Sequence, residues 1–262
     1  MIFTNVFEAF GNFILSVTRQ MGEFLLFCSN FFTWIFRPPF RKFYFFKQLE
    51  FIGVRSFPII ALTSTFTGMV FALQTGYAFR QFNAEAFVGS TVGLALTREI
   101  APVFTALMVI ARAGSAMAAE IGSMKVTEQV EALEAMAVNP VQFLVVPRVL
   151  SSMVMLPLLT GFFNFVGILG AYLVAVHVLN IGATIFKEKL MYYVDSTDIL
   201  GGLIKSIVFG LVLALISCYY GYQTKGGAEG VGRSTTRAVV VSSVVVLVLD
   251  YFLTSWILEL FP

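Results

Sequence analysis

Five long apolar runs dominate this chain of 262 residues. An α-helix needs about 20 apolar residues to cross the ~30 Å hydrocarbon core of a bilayer, and each run reaches that length. Only 12% of the residues are charged, about half the share found in ordinary soluble domains. The sequence therefore predicts an all-α membrane protein whose five spanning helices cover about 58–79, 87–111 or 87–119, 149–176, 201–222 and 238–260.

The segment before the first run is amphipathic. Its large apolar residues recur at helical spacing, and its charged and amide residues fall largely on other faces. This pattern predicts an interfacial helix that lies along the membrane. We therefore divide the chain into an interfacial segment at 1–48 and a polytopic domain at 49–262. The apolar positions are Phe3, Val6, Phe7, Phe10, Ile14, Val17 and Met21, and the basic cluster that follows contains Arg37, Arg41, Lys42 and Lys47.

The basic residues are shared unequally between the two sets of helix ends. Most of them lie in the N-terminal segment, the 123–147 connection and the 223–236 loop, whereas Arg80, Lys187 and Lys189 lie at the opposite ends. Lys and Arg are enriched in cytoplasmic loops. The N-terminus, the connection and the loop are therefore predicted to be cytoplasmic, with the C-terminus on the far side.

The second run carries charges where hydrocarbon is expected, at Arg98, Glu99, Arg112 and Glu120. A charge at the centre of a spanning helix costs about 2.5–3.5 kcal/mol on insertion scales, so it usually marks a functional site. Arg98 and Glu99 are adjacent and point about 100° apart on a helix, so they cannot pair with each other. Each needs a lipid headgroup, another helix or a second copy of the chain. Arg112 and Glu120 are predicted to lie near the cytoplasmic boundary and to brace the connection that follows.

Lys205 and Asp250 are further charges inside predicted spans. They either pair with each other, or Lys205 contacts the path of a transported molecule. Small residues also recur at intervals of three or four, which lets helices approach closely in lipid. We interpret them as packing positions within the chain or at a dimer interface. They are Ala111, Gly114, Ser115, Ala118, Ala119, Gly122, Gly167 and Gly170.

The sequence at about 123–140 predicts one amphipathic helix that ends at Asn139-Pro140. One face is apolar, and the other carries an acidic ridge at three-residue spacing. This helix is either a solvated connector or a docking helix for a soluble partner. The apolar positions are Val126, Val130, Leu133 and Ala137, and the ridge consists of Glu128, Glu131 and Glu134.

The chain lacks the residues that metal binding, disulfide formation and nucleotide binding usually require. The chain has one histidine, His177, and two isolated cysteines, Cys28 and Cys218, so we expect no metal site, no disulfide and no catalytic residues. The glycine-rich stretch 226–232 lacks the lysine followed by Ser or Thr that would cradle phosphates. The net charge of +2 does not suggest a nucleic-acid partner. If the chain is driven by nucleotide hydrolysis, a separate subunit must bind the nucleotide.

The run LTREIAPVFTALMVIARAGSAMAAEIGSMKVTEQVEALEAMAVNP resembles the signature of the MlaE-type permeases. These are the membrane subunits of ABC transporters that move lipids between the inner and outer membranes of Gram-negative bacteria. The segments GMVFALQTGYAF, LIKSIVFG, GVGRSTTRAVVVSS and LDYFLT resemble the same family. The resemblance covers most of the chain from about residue 50.

The resemblance implies a phospholipid permease of the bacterial inner membrane that works as a homodimer. An ABC ATPase would bind each copy and would hold ATP and Mg²⁺, so that this chain itself has no cofactor. A periplasmic ring of MCE-domain subunits and a STAS-domain protein are further implied partners. The segment 125–139 would be the coupling helix that seats in the ATPase, with contacts from Lys125, Val126, Glu128, Val130, Glu131, Leu133 and Glu134.

The resemblance also implies a lipid cavity at the dimer interface. Arg98 and Glu99 would lie beside it, and we predict that Arg98 holds a phosphate, because a guanidinium matches phosphate oxygens. Phe82 stands where some members carry tyrosine. A structural ion-pair network is the alternative for the charges, and an ion-coupled secondary transporter or a structural membrane subunit is the alternative for the chain. The predicted lipid-binding residues are Arg98, Glu99, Phe71, Phe79, Phe82, Ile100, Lys205 and Asp250.

Overall fold

The computed structural model describes residues 2–38 and 42–260 and, within these ranges, the side chains other than those of 2–14, 16, 17, 258 and 260. The described chain is helical and contains no strand. The helices are α1 (Ile2–Ile35), α2 (Lys42–Ile52), α3 (Phe57–Arg80), α4 (Val88–Ala95), α5 (Ala101–Val109), α6 (Ser115–Val126), α7 (Gln129–Ala135), α8 (Val146–His177), α9 (Ala183–Tyr193), α10 (Ser196–Tyr222) and α11 (Gly227–Leu260).

Within the described residues, five helical stretches are long and apolar enough to cross a membrane, which confirms the prediction of five spans. They are longer than predicted, because polar residues at their ends continue the helices beyond the apolar runs. The second span, predicted to end at 111 or 119, continues to Val126. The stretches are Lys42–Arg80, Glu85–Val126, Val141–His177, Ser196–Tyr222 and Gly227–Ile257.

Short turns of other helix types join the regular helices. Two π-helical turns, Leu96–Ile100 and Ile110–Gly114, separate α4, α5 and α6 within the second span, and a third, Val141–Val145, precedes α8. Isolated π-helical turns are rare in proteins, and those that do occur are often found at functional sites. The first of them contains both Arg98 and Glu99, so the two charges lie where the regular helix is interrupted.

The bundle is organised around α8, which packs along α3 on one side and α10 on the other. The crossing of α3 and α8 is close because glycines meet there. A Cβ on Gly68 would overlap the carbonyl oxygen of Gly167, and a Cβ on Gly170 would lie 2.6 Å from the carbonyl oxygen of Thr65. Gly167 and Gly170 are therefore packing positions, as the sequence predicted.

The small residues of α6 and of the π-helical turn before it pack within the chain, against α10 and the turn that follows α10. A Cβ on Gly114 would lie 2.9 Å from Ser217 Oγ, and one on Gly122 would lie 2.8 Å from Thr224 Oγ1. On the facing helix, a Cβ on Gly221 would lie 2.9 Å from the carbonyl oxygen of Ala118. Of the two predicted uses of these residues, the structure shows close packing inside the chain.

The connection after the second span is shorter and more sharply bent than predicted. Glu128 has a left-handed conformation (φ 59°) that separates α6 from α7, and α7 ends at Ala135. The chain then turns through Ala137 (φ 57°), and the N–H of Val138 donates to the carbonyl of Leu133 at 2.9 Å, which closes the helix end. The prediction of one helix up to Pro140 is therefore wrong.

Asn139 and Pro140 begin the next helix instead of ending α7. The side-chain oxygen of Asn139 accepts hydrogen bonds from the N–H groups of Val141 and Gln142, at 2.9 and 3.2 Å. Such a bond satisfies N–H groups that have no partner in the first helical turn. Proline fits the first turn of a helix for the same reason, because it has no N–H to satisfy.

The N-terminal helix α1 packs on the end of the bundle that carries α7. Phe27 and Phe31 are buried, and the Phe24 ring meets the Tyr219 ring edge-on with centroids 5.2 Å apart. The predicted apolar positions from Phe3 to Val17, and Arg41 of the basic cluster, lie outside the described side chains. Met21 is exposed. The predicted boundary between 48 and 49 falls inside α2, which runs on towards α3.

Helix α9 was not predicted. It lies between the third and fourth spans and packs on α4 through Phe186, which is buried against Gly89. It is too short to be predicted as a span, and its charged residues interrupt the apolar ones.

The close crossing of α3 and α8 gives a stability test. Replacing Gly68 by alanine should push the two helices apart and lower the free energy of unfolding in detergent by about 1–3 kcal/mol, the usual size of overpacking effects. Gly161, also in α8, has no atom within 4 Å of its would-be Cβ, so Gly161→Ala is the matched control and should not destabilise the protein. Equal effects of the two substitutions would contradict the close crossing.

Candidate functional site

The side chain of Lys205, in α10, is 2% exposed and is surrounded by acceptors from two other parts of the chain. Its Nζ lies 2.8 Å from Glu99 Oε2, 3.3 Å from Asp250 Oδ1, 2.7 Å from Thr254 Oγ1 and 3.0 Å from the carbonyl oxygen of Arg98. These acceptors outnumber the three N–H groups of an ammonium. Lys205 is therefore fully engaged inside the protein.

A proline accounts for the contact between Lys205 and the backbone. In a regular α-helix the carbonyl of Arg98 would accept from the N–H of residue 102, but Pro102 has no N–H. The π-helical turn Leu96–Ile100 precedes this position, and the ammonium of Lys205 supplies a donor to the carbonyl. Gly202 lets α10 come close enough, because a Cβ there would overlap the carbonyl oxygen of Thr97.

Arg98 has its own partner on α10, which was not predicted. Its Nε donates to Asp198 Oδ1 at 2.6 Å, and Nη2 contacts the same oxygen. The other oxygen of Asp198 accepts from the N–H of Asp195 at 2.9 Å as part of a capping box that starts α10. The D-x-x-D pattern at 195–198 is a sequence signal for that helix start, but not for its pairing with Arg98.

We call Arg98, Glu99, Asp198, Lys205 and Asp250 the charged cluster. Its two cations and three carboxylates give a formal charge of −1 (2 − 3). It lies towards the N-terminal end of α10, since Asp198 is in the first turn of that helix. Lys205 lies seven residues, or about 10 Å, further along α10.

The charged cluster changes the predicted roles of two residues. Lys205 pairs with Asp250, which was one of the two alternatives. Because its side chain is only 2% exposed and its donors are engaged, Lys205 cannot also bind a lipid in this conformation. Arg98 differs, since its side chain remains 45% exposed although it is paired. It lines a cleft of about 380 Å³, together with Glu99, Asp198, Gly201, Thr254 and Ile257.

A second cleft, of about 700 Å³ and mostly apolar, lies on the other side of the same π-helical turn. Phe71 and Ile100 line it, so two of the four predicted apolar pocket residues come together. Phe79 lies eight residues further along α3, about 12 Å away, and packs against the core. Phe82 is 77% exposed in the turn after α3 ends at Arg80, so neither residue belongs to this cleft.

At the other end of the bundle, α7 is held to its own chain. Val130 is completely buried, so it anchors α7 and cannot contact a partner as predicted. Lys125 forms an ion pair with Glu131 and lowers the pKa of that carboxyl below its usual value through this hydrogen bond. The hydroxyl of Tyr222, at the end of α10, donates to Glu134 Oε1 at 3.0 Å. The contact of Tyr222 was not predicted.

Arg112 and Glu120 do not brace α7 directly, contrary to the prediction. Arg112 donates to the carbonyl of Phe51 and to Ser56 Oγ, at 3.2 Å for the second bond, and so joins the second span to the junction of α2 and α3. Glu120 pairs with Arg148 at 2.9 Å, which joins α6 to the start of α8. Both residues connect spanning helices to each other.

The surface of α7 that faces away from the bundle combines acidic and apolar character. Lys125, Val126 and Leu133 are partly buried, whereas the exposed residues include an unpredicted apolar one, Met136, at 65% exposure. The exposed set on and beside α7 is Thr127, Glu128, Gln129, Glu131, Ala132, Glu134, Ala135, Met136 and Ala137.

Removing the buried ammonium should be costly. We expect Lys205→Met to lower the free energy of unfolding by about 3–5 kcal/mol, because it leaves two carboxylates facing each other without a cation. Adding Glu99→Gln and Asp250→Asn removes that repulsion and should recover at least half of the loss. Thermal unfolding in detergent measures the stability of each variant, and Lys225→Met, at an exposed lysine, is the control. If the two added substitutions left the loss of stability unchanged, Lys205 would not be the residue that neutralises Glu99 and Asp250.

Comparison with known proteins agrees with this architecture. A family described as "Permease MlaE" matches residues 45–256. A probable ABC transporter permease protein of Rickettsia felis is 40% identical over 250 residues, which are 95% of this chain and 96% of the relative. The intermembrane phospholipid transport system permease protein MlaE of Haemophilus influenzae is 39% identical over 256 residues, 96% and 97% of the two chains. The chloroplastic protein TRIGALACTOSYLDIACYLGLYCEROL 1 of Arabidopsis thaliana is 39% identical over 213 residues, 81% of this chain and 61% of that protein. The chain is a multi-pass membrane protein that belongs to the MlaE permease family.

Proposed function

We propose that this chain is the membrane-spanning permease of an ATP-driven ABC transporter that moves phospholipids between two membranes. The names of the Rickettsia and Haemophilus relatives support the transporter class and the phospholipid substrate, respectively. The helices of this chain would form the lipid path, and a separate ABC ATPase subunit would hold ATP and Mg²⁺.

The observation that carries this proposal is the position of Arg98. Its guanidinium is paired through Nε and Nη2 but still 45% exposed, so its remaining N–H groups can donate to a phosphate. The apolar cleft beside Phe71 and Ile100 lies across the same turn. A phospholipid needs this combination of a donor for its phosphate and an apolar surface for its chains, and Glu99 would fix the position of the turn through Lys205.

The proposed working unit is a homodimer with a lipid cavity between its two copies. In support, α3 presents a continuous stripe of exposed apolar residues next to the apolar cleft, and α11 is the least buried of the five spans. A second copy on this side would enclose both clefts. The stripe on α3 consists of Ile59, Leu62, Phe66, Val70, Leu73 and Tyr77.

The permease would lie in the bacterial inner membrane, with α7 and the N-terminus on the cytoplasmic side. The ATPase would dock on α7 from the cytoplasm. The exposed acidic ridge and Met136 give α7 a surface that a groove on a soluble partner can accept. A periplasmic MCE-domain ring at the opposite end of the bundle, and a STAS-domain subunit on the ATPase, complete the proposed complex.

Substitution of Arg98 tests the lipid path. Arg98→Ala alone would strand the buried Asp198, so the informative variant is Arg98→Ala with Asp198→Asn. We expect it to assemble normally and to lose transfer of labelled phospholipid between proteoliposomes, whereas Asp198→Asn alone retains transfer. Arg80→Ala, which breaks an exposed ion pair with Glu85, is the matched control and should transfer normally.

Loss of assembly in the double variant would favour the alternative of a purely structural ion-pair network. Transfer that follows an ion gradient and needs no ATPase would favour a secondary transporter instead.

Substitution on α7 tests the ATPase partner. We expect Met136→Asp to weaken binding of the ATPase and to lower the ATP hydrolysis of the purified complex by at least about tenfold, since an apolar anchor becomes a charge. Met191→Asp is the control, because Met191 is 79% exposed on α9 at the opposite end of the bundle. If both variants, or neither, lost ATPase binding, α7 would not be the docking site.

A further inference from the structure

A large groove lies outside both clefts described above. It has a volume of about 1500 Å³, part of it open to solvent, and lies between α1, α10 and α11 at the end of the bundle that carries α7. Its long walls are apolar and come from Val212, Leu215 and Ile216 of α10 and from Val241 and Val245 of α11. Phe24 and Cys28 of α1 close a third side. The proposed transport path and the proposed ATPase contact use none of these residues.

One end of the groove is polar. Gln223, Ser234 and Arg237 line it there, beyond the last turn of α10 and before the apolar part of α11. Arg237 forms no ion pair with any described residue, whereas the one carboxylate of the lining, Glu23, is engaged by Arg19 at 3.1 Å. The groove thus has an apolar shaft and an unneutralised guanidinium at its mouth.

The length of the groove matches one leaflet of a bilayer. From Val212 to Gln223 is eleven residues of helix, or about 16 Å at 1.5 Å per residue. Half of a ~30 Å hydrocarbon core is about 15 Å, the depth that one acyl chain occupies. With the mouth at the end that bears α7, an acyl chain in the shaft would run inwards from the membrane surface.

We propose that this groove binds one phospholipid of the leaflet on the α7 side, with its phosphate at Arg237 and Ser234. One acyl chain fills the shaft between α10 and α11, and α1 closes over it. This phospholipid is a resident of the fold and not the transported molecule. It joins α1 to the same helix, α10, whose end contacts α7 through Tyr222.

The charge of the site selects the ligand. An apolar groove of this length fits a hydrocarbon chain, but an uncharged hydrocarbon chain alone would leave Arg237 without an anion. A phosphodiester supplies the anion, and charge-assisted hydrogen bonds from a guanidinium to phosphate oxygens are strong ones. A second copy of this chain would need an acidic side chain at the mouth to satisfy Arg237 equally well.

Cys28 reports on the groove directly. It lines the shaft, whereas the other cysteine, Cys218, is completely buried, so N-ethylmaleimide should modify Cys28 selectively in the folded protein. Burial raises the pKa of the Cys28 thiol, so the labelling rate is best measured above neutral pH. The experiment uses the full-length chain, delipidated in detergent, with phosphatidylglycerol added back.

We expect added phosphatidylglycerol to slow the modification of Cys28. Val245→Trp fills the shaft and should abolish this protection, together with one bound phospholipid per chain counted by native mass spectrometry. Val244→Trp is the matched control, since Val244 is exposed and lies outside the groove. Arg237→Gln should weaken protection by at least about tenfold, and Arg233→Gln, one turn earlier on α11 and also exposed, should not.

Three results would overturn the proposal. Modification of Cys28 at the same rate with and without lipid would show that the groove stays empty. Equal protection in Val245→Trp would place the lipid elsewhere. Protection that depends on protein concentration and not on lipid would identify a second copy as the occupant. The measurement needs neither the ATPase nor transport, so its outcome is independent of the Arg98 variants.

Discussion

An ammonium group enclosed by apolar helices must be neutralised by its own chain, and Lys205 shows how that requirement organises one end of this protein. Its partners come from the first π-helical turn and from α11, while Lys205 itself is on α10, so the three elements are fixed relative to each other. The carbonyl of Arg98 is free to accept from Lys205 because Pro102 has no N–H that could donate to it, as residue 102 would in a regular helix. The interrupted helix and the buried charge therefore stabilise each other, and Gly202 permits the close approach that both need.

Helix α10 connects this end of the molecule to the other. Lys205 and Tyr222 are 17 residues apart, or about 26 Å along the helix, and Tyr222 hydrogen-bonds Glu134 in α7. One continuous helix thus joins α7 to the charged cluster. Arg112 and the Glu120–Arg148 pair have a different task, because they join the spanning helices to each other. Within the second span, Arg98 and Glu99 of the charged cluster are thus separated along the chain from Arg112 and Glu120, which join the spans.

The sequence predicts the spans well because each requires only local information, a long apolar run. It also predicts the close-packed Gly167 and Gly170, whose spacing places them on one helix face, but not Gly68 or Gly202. It does not predict the pairing of Arg98 with Asp198, since these residues are 100 positions apart and no local pattern joins them. The length of α7 was overestimated because Glu128 and Ala137 adopt left-handed conformations that non-glycine residues rarely show. Val130 was taken for a docking residue because an apolar face looks the same whether it packs on its own chain or on a partner.

In the proposed transporter, Arg98 meets a phospholipid between two copies of this chain. An electron cryomicroscopy structure of the complex, purified with its ATPase in a nanodisc of natural lipids, tests this contact. We expect elongated lipid density that enters the apolar cleft of Phe71 and Ile100, with its headgroup within hydrogen-bond distance of the Arg98 guanidinium at the interface of two copies. Copies that meet on another surface, with Arg98 facing only protein and no lipid beside it, would rule out this lipid path.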